Sequence, residues 1–368
     1  MQPWSRRARR TACPSAWPTG CSAWSRTGGR NPVRSPAFWS SRRPSLAGTL
    51  LGPLGAITER MTAHRLRRPG WTAPVPVICC GNAGVGGAGK TTLVLDLAAR
   101  MQARGVAVHC LTRGYGGRAG RTVLRVDVGR HDAALVGDEA LLLAGQAPCW
   151  VSADRAAGAQ AAIAAGAQIL LMDDGLQNPG LIQDWPLLVI DGAAGFGNGR
   201  LLPAGPLREP VGTAAARAGA AVMIGADETG DGARLPSGLM VLHAELVMDE
   251  AALALRGRKL LAFAGIGRPE KFFHALDRIG LGLAGTHAFS DHHRFRAREL
   301  DALRRDAARL DATLVTTPKD AVRLPTAFRR EVVVAGVSLL WQDPAARDGL
   351  IDRMIRTKGV DVDDFDLG

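Results

Sequence analysis

The sequence has no feature that assigns it to a disulfide-rich, membrane-spanning or secreted class. Its six cysteines are scattered and none stands in a C-x-x-C pair, which is typical of free, buried thiols in a reducing compartment. No apolar run reaches the roughly 18 residues that a membrane-spanning helix needs. The first arginines are not followed by the continuous apolar segment of a signal peptide.

Acidic residues are missing from the first 45 positions, which carry nine arginines. Nine of the twelve net positive charges therefore lie in this segment, and the remaining chain carries only about +3. The bulk of the protein is consequently not a basic nucleic-acid binder, and we expect no nucleic-acid partner.

Residues 1–32 also lack helical or strand periodicity. We predict that they are a disordered or non-native extension, with a natural start near Val33 from an alternative initiation codon.

The chain does contain enough apolar residues, 46% of 368, to build a packed core. Its length suggests two domains, or one large α/β domain with additions. A polar, glycine-rich linker is predicted at 226–240. The elements of a second, smaller α/β unit follow it, with strands at 260–265, 313–316 and 332–334 and a helix at 269–279.

Apolar and aromatic residues can cover one helix face between Phe38 and Ile57, interrupted near Gly52-Pro53. They are Phe38, Trp39, Leu46, Leu50, Leu51, Leu54 and Ile57. The flanking arginines are Arg42, Arg43, Arg60, Arg65, Arg67 and Arg68. Two interpretations stay open: an interfacial helix on an anionic membrane, or a terminal helix packed on its own core.

The stretch Gly84–Thr91 fits the pattern G-x-x-x-x-G-K-[ST], after a β-prone run from Val77 to Cys80 and before a helix-like segment. Strand, glycine loop and helix are the context in which this pattern binds a nucleoside triphosphate. Backbone N–H groups would surround the phosphates, Lys90 would reach the β- and γ-phosphate oxygens, and the Thr91 hydroxyl would hold Mg²⁺. The residues predicted to bind the triphosphate are Gly84, Val85, Gly86, Gly87, Ala88, Gly89, Lys90, Thr91 and Thr92.

Other polar residues follow predicted strands and should meet at the same sheet edge. The strand 106–111 ends before Arg113, which either contacts phosphate or lies in a surface turn. Asp173 ends a Walker-B-like strand, whose carboxylate reaches Mg²⁺. Adjacent strand residues point to opposite faces, so Asp174 can serve the same site only if the strand has ended. Asp138, near a helix start, is either an N-cap or a carboxylate facing the nucleotide.

A long glycine- and proline-rich connection, 195–210, carries Arg208 and Glu209. Connections of this length inside a compact domain are more often functional than not. Later in the chain, Asp291-His292-His293 could bind metal, but one triplet is weak evidence for a metal site.

Several motifs, in this order, resemble those of the tetraacyldisaccharide 4′-kinases of lipid A biosynthesis. They are GN-x-x-VGG-x-GKT (81–91), RGYGG (113–117), GDE (137–139), DDGLQ (173–177), FGNGRLLPAGPLREP (196–210), F-x-DHH (289–293) and T-x-KDAVRL (317–324). The resemblance implies a kinase that uses ATP and Mg²⁺ to phosphorylate the 4′-hydroxyl of a tetraacylated glucosamine disaccharide 1-phosphate, giving lipid IVA. It also implies peripheral or monotopic attachment to the anionic cytoplasmic face of the bacterial inner membrane.

The family's fold implies a P-loop NTPase-like domain with a mostly parallel sheet and a second, smaller α/β domain, joined by a two-stranded linker. An N-terminal interfacial helix precedes them. The predicted division is 33–70 for this helix, 71–240 for the P-loop kinase domain, 241–258 for the linker, 259–345 for the second domain and 346–368 for a C-terminal helix and tail.

The resemblance implies a role for each residue that matches a family motif. Lys90 and Asp138 would be catalytic, with Asp138 as the base, and His292 would support Asp138. Because Asp138 and His292 lie in different predicted domains, we predict that the pair forms only when the domains close. The metal residues would be Thr91, Asp173 and Asp174, and the substrate residues Arg113, Gln177, Arg208 and Glu209. The chain departs from the family at Asn178, where His is usual, and at Thr92, where Pro is usual.

Two other classes remain as alternatives. A P-loop ATPase or GTPase switch of the membrane surface would need an N-K-x-D motif to read guanine, which Lys319-Asp320 does not complete. A partitioning ATPase, which is another form of such a switch, would need Lys at the position of Val85. A non-enzymatic membrane-binding module would explain residues 38–68 but leave the P-loop unused. Phosphate transfer from ATP to the disaccharide lipid distinguishes the three.

Overall fold

The structure is a computed structural model that describes residues 36–41, 43, 45–119 and 122–359. The predicted extension 1–32 and the proposed start at Val33 lie outside these described residues. So does the predicted tail beyond residue 359.

Strands of two sheets make up the centre of the described chain. In chain order they are β1 (Val77–Gly81), β2 (Val108–Thr112), β3 (Leu124–Arg125), β4 (Cys149–Val151), β5 (Ile169–Asp173), β6 (Trp185–Asp191), β7 (Ala220–Ile224), β8 (Val241–Met248), β9 (Lys259–Ala264), β10 (Gly282–Ala288), β11 (Thr313–Thr316), β12 (Val333–Val334) and β13 (Val337–Trp341).

Nine of the described strands form a large sheet in the order β13-β8-β7-β6-β1-β5-β2-β4-β3, and four form a small sheet in the order β10-β9-β11-β12. The central strands pair in parallel, and only the outer pairs β3–β4 and β8–β13 are antiparallel. Strands β1, β2, β5 and β7 are buried along their whole length, as expected for parallel strands covered on both faces. The predicted α/β fold class is confirmed.

Helices precede, separate and follow these strands. They are α1 (Ala37–Ser40), α2 (Leu46–Leu50), α3 (Gly52–Leu66), α4 (Lys90–Gln102), α5 (Ala133–Val136), α6 (Asp138–Gln146), α7 (Arg155–Ala164), α8 (Val211–Arg217), α9 (Glu250–Leu253), α10 (Pro269–Arg278), α11 (Ala297–Leu310), α12 (Pro318–Ala321), α13 (Thr326–Arg329) and α14 (Pro344–Arg356). One face of the large sheet packs against apolar residues of α4, α6 and α14, and the other against those of α7 and α8.

The chain crosses between the two sheets twice, through β8 and β13. These strands pair antiparallel at the end of the large sheet. The predicted second domain, 259–345, therefore contains one strand, β13, that belongs to the large sheet. The reason is packing: Leu339 and Trp341 are buried in the large core, and the Trp341 indole donates to Asp96 of α4 at 2.9 Å. Helix α14, from the predicted C-terminal segment, packs on the same core.

The N-terminal segment differs from the single helix predicted between Phe38 and Ile57. It forms three helices, and the longest, α3, has Pro53 in its first turn and continues to Leu66. The predicted interruption near Gly52-Pro53 is confirmed, because α2 ends at Leu50 and Pro53 stands in the first turn of α3, where its missing N–H is not needed. Within the described residues, no helix has both the length and the apolar character needed to cross a bilayer.

Candidate active site

The P-loop connects β1 to α4 and lies at the carboxyl edge of the large sheet. Gly89 has φ 83°, and a Cβ there would approach Ile224 Cδ1 to 2.7 Å, so this turn requires glycine. The loop is supported from outside, because the Val85 N–H donates to the Pro206 carbonyl at 2.8 Å. Lys90 Nζ donates to Asn82 Oδ1 and to the Gly86 carbonyl, both at 3.2 Å. This arrangement is typical of a lysine held over a phosphate-binding loop.

Thr91 and Asp173 meet where β5 ends beside the P-loop. The Thr91 hydroxyl donates to Asp173 Oδ2 at 3.0 Å. The other oxygen, Asp173 Oδ1, is buried and has no hydrogen-bond partner among the described residues. Burial raises the pKa of Asp173 to about 7. A buried carboxylate oxygen without a partner, next to a threonine hydroxyl, fits the ligands that Mg²⁺ prefers in a nucleotide site.

Asp174 resolves the question of whether two adjacent acids can face one site. Strand β5 ends at Asp173, and Asp174 has φ 55°, so the backbone has left the strand geometry. The carboxylate of Asp174 accepts a two-pronged contact from Arg208 at 2.9 and 3.1 Å. It also lies 3.8 Å from Lys90 Nζ. Asp174 thus joins the P-loop to the connection 195–210, and its assignment to Mg²⁺ stays a prediction.

Gln177 and Glu209 form a buried polar network beneath the same loop. Gln177 Nε2 donates to Glu209 Oε1 at 2.8 Å and to the Asn82 carbonyl at 3.0 Å. Arg217, which was not predicted as a site residue, binds both oxygens of Glu209 through its guanidinium at 2.7 and 3.0 Å. Glu209 is 1% exposed, and the charge of Arg217 compensates its buried negative charge. Glu209 thereby helps to hold the loop in position. Asn178, at the family's His position, caps a turn through the Gly180 N–H at 2.9 Å.

Asp138 is the first residue of α6, and its N-cap is Gly137, without a side-chain cap. The N-cap interpretation of Asp138 is therefore wrong. Instead, Asp138 Oδ2 lies 2.7 Å from His292 Nδ1, which comes from the loop between β10 and α11. The hydrogen bond with Asp138 raises the pKa of His292 above its ordinary value of 6.5. No described residue hydrogen-bonds Asp138 Oδ1, so this oxygen remains available to a hydroxyl group.

Two further cations from the small-sheet unit lie beside Asp138 and were not predicted as site residues. Arg323 Nε is 3.4 Å from Asp138 Oδ2, and both side chains are almost fully buried. Lys319 Nζ contacts Glu139 Oε1 at 3.0 Å. Both belong to the motif T-x-KDAVRL, which follows a predicted strand. That position is the feature of the sequence from which they could have been predicted as site residues. The charge of Glu139 also contributes to the raised pKa of Asp173, so the two parts of the site interact.

Arg113 follows β2 at the carboxyl edge of the large sheet and is exposed. It makes no hydrogen bond or ion pair within the described part of the chain. A second arginine at this edge, Arg155, was missed, although it follows β4 just as Arg113 follows β2. It is 4% exposed, donates to the Ser152 carbonyl, and its Nε has no partner among the described residues. Burial lowers the pKa of Arg155, and the charge of Arg113 acts in the same direction.

The predicted residues therefore form two contact groups at one edge of the large sheet. The nucleotide group contains Lys90, Thr91, Asp173, Asp174, Gln177, Arg208 and Glu209. The acceptor pair is Asp138 with His292. Such an arrangement can bind a triphosphate with its cation and present a carboxylate to a hydroxyl. The described residues contain no cluster of three or more His, Cys, Asp or Glu side chains able to hold a metal by themselves.

Comparisons with known proteins agree with this geometry. The family model for Tetraacyldisaccharide-1-P 4′-kinase matches residues 47–356. Tetraacyldisaccharide 4′-kinases of Gluconacetobacter diazotrophicus and Rhodospirillum centenum are 59% and 51% identical over 320 and 333 residues, covering 87% and 89% of this chain and 98% of each relative. A crystal structure of the "apo" form of LpxK from Aquifex aeolicus in complex with ATP matches with a TM-score of 0.68 and 25% identity, over 84% of this chain and 99% of that one. The resemblance predicted from the motifs is confirmed, and the chain belongs to the tetraacyldisaccharide 4′-kinase family.

Proposed function

We propose that this kinase transfers the γ-phosphoryl group of ATP to the 4′-hydroxyl of tetraacyldisaccharide 1-phosphate, forming lipid IVA for lipid A synthesis. The observation that carries the proposal is the juxtaposition of a P-loop group and the Asp138–His292 pair in a chain of this family. A switch ATPase or GTPase transfers no phosphate to a second substrate, so it does not need a carboxylate that faces an acceptor hydroxyl.

The P-loop group would bind and neutralise the triphosphate. Lys90 lies over the loop through Asn82 and would turn to the β- and γ-phosphates. Thr91 Oγ1 and Asp173 Oδ1 would hold Mg²⁺, with Asp174 nearby. When bound, Mg²⁺ neutralises charge on the phosphate oxygens and orients them for in-line transfer. Because transfer of a phosphoryl group needs positioning more than covalent help, these contacts supply most of the catalysis.

The acceptor pair would position the sugar hydroxyl. His292 donates its Nδ1–H to Asp138 Oδ2, which leaves Oδ1 to accept the hydroxyl proton as the O–P bond forms. A hydroxyl is far from acidic at neutral pH, so proton transfer to Asp138 comes late in the reaction. We propose that the pair is made when the small-sheet unit approaches α6. Arg113, which is exposed, and Arg208 would face the lipid side, and the buried Gln177 and Glu209 would support Arg208 from below.

The N-terminal helices would attach the enzyme to the cytoplasmic face of the inner membrane, as a peripheral or monotopic protein. In α2 and α3 the small residues Gly48, Gly55 and Thr62 face the protein. The large apolar side chains lie on the opposite, exposed side, and they are Leu46, Leu50, Leu54, Ile57 and Met61. A surface helix of a water-soluble protein turns its large apolar side chains toward the core and its polar ones toward water. The exposed apolar side of α2 and α3 therefore fits the apolar interior of a bilayer.

Polar contacts hold these helices to the connection 195–210. Thr58 Oγ1 donates to the Leu202 carbonyl at 2.6 Å, and Arg200 Nη1 donates to the Gly48 carbonyl at 2.6 Å. The same connection supports the P-loop through Pro206 and supplies Arg208. A lipid acceptor entering from the membrane would therefore arrive beside the nucleotide group.

Transfer of ³²P from [γ-³²P]ATP to purified tetraacyldisaccharide 1-phosphate in mixed micelles tests the activity. We expect a labelled lipid product, and no label in a matched acceptor that already carries a 4′-phosphate. ATP hydrolysis without transfer would contradict the kinase proposal and favour a switch ATPase.

Sedimentation with vesicles of anionic phospholipid tests the membrane surface. Replacing Leu50 and Leu54 by Asp should release the protein from the vesicles while the fold is retained. Leu340→Asp is the matched control, because Leu340 is 58% exposed on β13, outside this surface. Equal binding by both variants would exclude the helix face as the attachment site.

A further inference from the structure

Arg323 is a buried cation that the proposed reaction does not yet use. It follows α12, and its side chain is 5% exposed. Its guanidinium donates to the His293 carbonyl at 3.1 Å, to the Gly265 carbonyl at 3.0 Å and to Asp320 Oδ1 at 2.9 Å. Five donors in a rigid fork allow arginine to hold several acceptors in one geometry, which lysine cannot do.

The two carbonyls that Arg323 binds fix the loop carrying His292. Gly265 follows β9, and its carbonyl also accepts the His292 backbone N–H at 3.1 Å. His293 is the next residue along the chain. His292 itself has φ 54°, a conformation that non-glycine residues adopt only when the surroundings enforce it. Arg323 is one of the groups that enforce it.

Arg323 also faces the partner of His292. Its Nε lies 3.4 Å from Asp138 Oδ2, the oxygen that binds His292 Nδ1 at 2.7 Å. One side chain of the small-sheet unit thus contacts both the loop that carries the histidine and the acid on α6. No other residue outside this loop, in the described part of the chain, has both a hydrogen bond to the loop and an ion pair with Asp138.

We infer that Arg323 is a positioning residue for phosphoryl transfer: it fixes His292 against Asp138 and directs the free Asp138 oxygen toward the acceptor hydroxyl. The inference rests on the proposed kinase function and adds a third member to the acceptor pair. Arg323 does not touch the reacting atoms; it acts through Asp138 and His292.

The charges around the pair give this inference a second consequence. The groups facing it are Arg323 and Asp320 of the T-x-KDAVRL segment, Asp291 beside His292, and Glu139 and Lys319 beside Asp138. The positive charge of Arg323 opposes protonation of His292. If Arg323 fixes the pair, its removal also loosens the hydrogen bond with Asp138, which is the largest cause of the raised pKa, so the pKa of His292 should fall, whether or not the protein turns over.

Two substitutions separate positioning from simple support of the fold. Arg323→Met removes the charge and the donors but keeps the length, and Arg323→Lys keeps the charge without the fork. We expect kcat for lipid phosphorylation to fall about 10²-fold in R323M, with KM for ATP nearly unchanged, because a misplaced pair mainly slows transfer. R323K should recover part of the lost kcat. If R323M does not fold, R323K carries the test, since it should still lower kcat without changing KM for ATP.

The same loss of kcat must depend on His292. The double variant with His292→Ala should be no slower than R323M alone, because residues that act as a unit are strongly non-additive. Effects that multiply, or unchanged kcat in both Arg323 variants, would overturn the inference.

NMR titration of the His292 ring gives a readout that does not need activity. The pKa should be lower in R323M than in the wild-type protein, because the hydrogen bond with Asp138 is loosened, and an unchanged or higher pKa would contradict the positioning role. If the wild-type protein transfers no phosphate to lipid, the kinase proposal fails, while this titration still decides whether Arg323 acts on the pair.

Discussion

The two contact groups of the site are built in different ways. The nucleotide group comes from β1, β5 and the connections that follow strands of the large sheet, so the strand order alone brings its members together. The acceptor pair joins α6 to a loop of the small-sheet unit, between residues 154 positions apart. The first group is pre-arranged within one sheet, whereas the second exists only where two units pack together.

The two groups also differ in the burial of one member each. Asp173 is 2% exposed at the end of a buried strand. The side chain of His292, by contrast, is 51% exposed. A buried group is held by the core around it, and a half-exposed group can separate from its partner at little cost. From this difference we expect that nucleotide binding does not require assembly of the acceptor pair.

The largest effect should come from breaking the pre-arranged group. Lys90→Ala removes the cation that reaches the phosphates, and we expect transfer to fall by roughly 10³-fold, as when a pre-arranged electrostatic contact is lost. Nucleotide affinity should fall as well, which calorimetric titration with ATP measures. Lys271→Ala, an exposed lysine on α10, is the matched control. An active Lys90→Ala protein would remove the P-loop from the mechanism.

A smaller effect should follow from changing the acid of the acceptor pair. Asp138→Asn keeps the shape but cannot take a proton, so kcat should fall about 10²-fold, within the usual contribution of a general base. ATP affinity should stay unchanged, since Asp138 belongs to the other group. Weakened ATP binding with unchanged kcat would show that the acid serves the nucleotide.

His292→Ala should have a still smaller effect, because His292 supports the acid without taking the hydroxyl proton. We expect kcat to fall about tenfold, and the double variant with Asp138→Asn to be no slower than Asp138→Asn alone. Steady-state kinetics of the three variants measure this. Multiplying effects would mean that the two residues act separately.

The sequence predicted the pre-arranged group well because its signals are local. A glycine loop between a strand and a helix identifies Lys90 and Thr91, and an apolar strand ending in Asp173 identifies its neighbour. The pairing of Asp138 with His292 came only from the family resemblance, since no spacing rule joins residues so far apart. The partners Arg217 and Arg323 were missed for the same reason.

Elements whose position depends on distant packing were also the ones predicted least well. The position of β13 in the chain suggests that it belongs to the second unit. In the structure it belongs to the large sheet, where Trp341 contacts Asp96 of α4. The break near Pro53 was predicted, but the division of the segment into three helices was not, because the contacts that hold α2 and α3 come from Leu202 and Arg200. Local patterns predict elements, and only the folded chain assigns their partners.

The smallest effect concerns the pH dependence of the acceptor pair. Because the folded-state pKa of His292 is raised, mainly by its hydrogen bond with Asp138, the pair stabilises the fold fully below the unfolded histidine pKa of about 6.5. This contribution is lost as pH rises through the folded pKa. Since His292 is half exposed, solvent screening keeps it below about 1 kcal/mol.

Thermal unfolding between pH 5.5 and 9 tests this expectation. The difference in Tm between the wild-type protein and His292→Gln should be largest at low pH and should shrink as pH rises, because only imidazolium gains from the Asp138 charge. Asp138→Asn should remove the same pH dependence from an otherwise wild-type chain. A difference that grows with pH would mean that the folded-state pKa of His292 is lowered, and that Asp138 does not pair with an imidazolium.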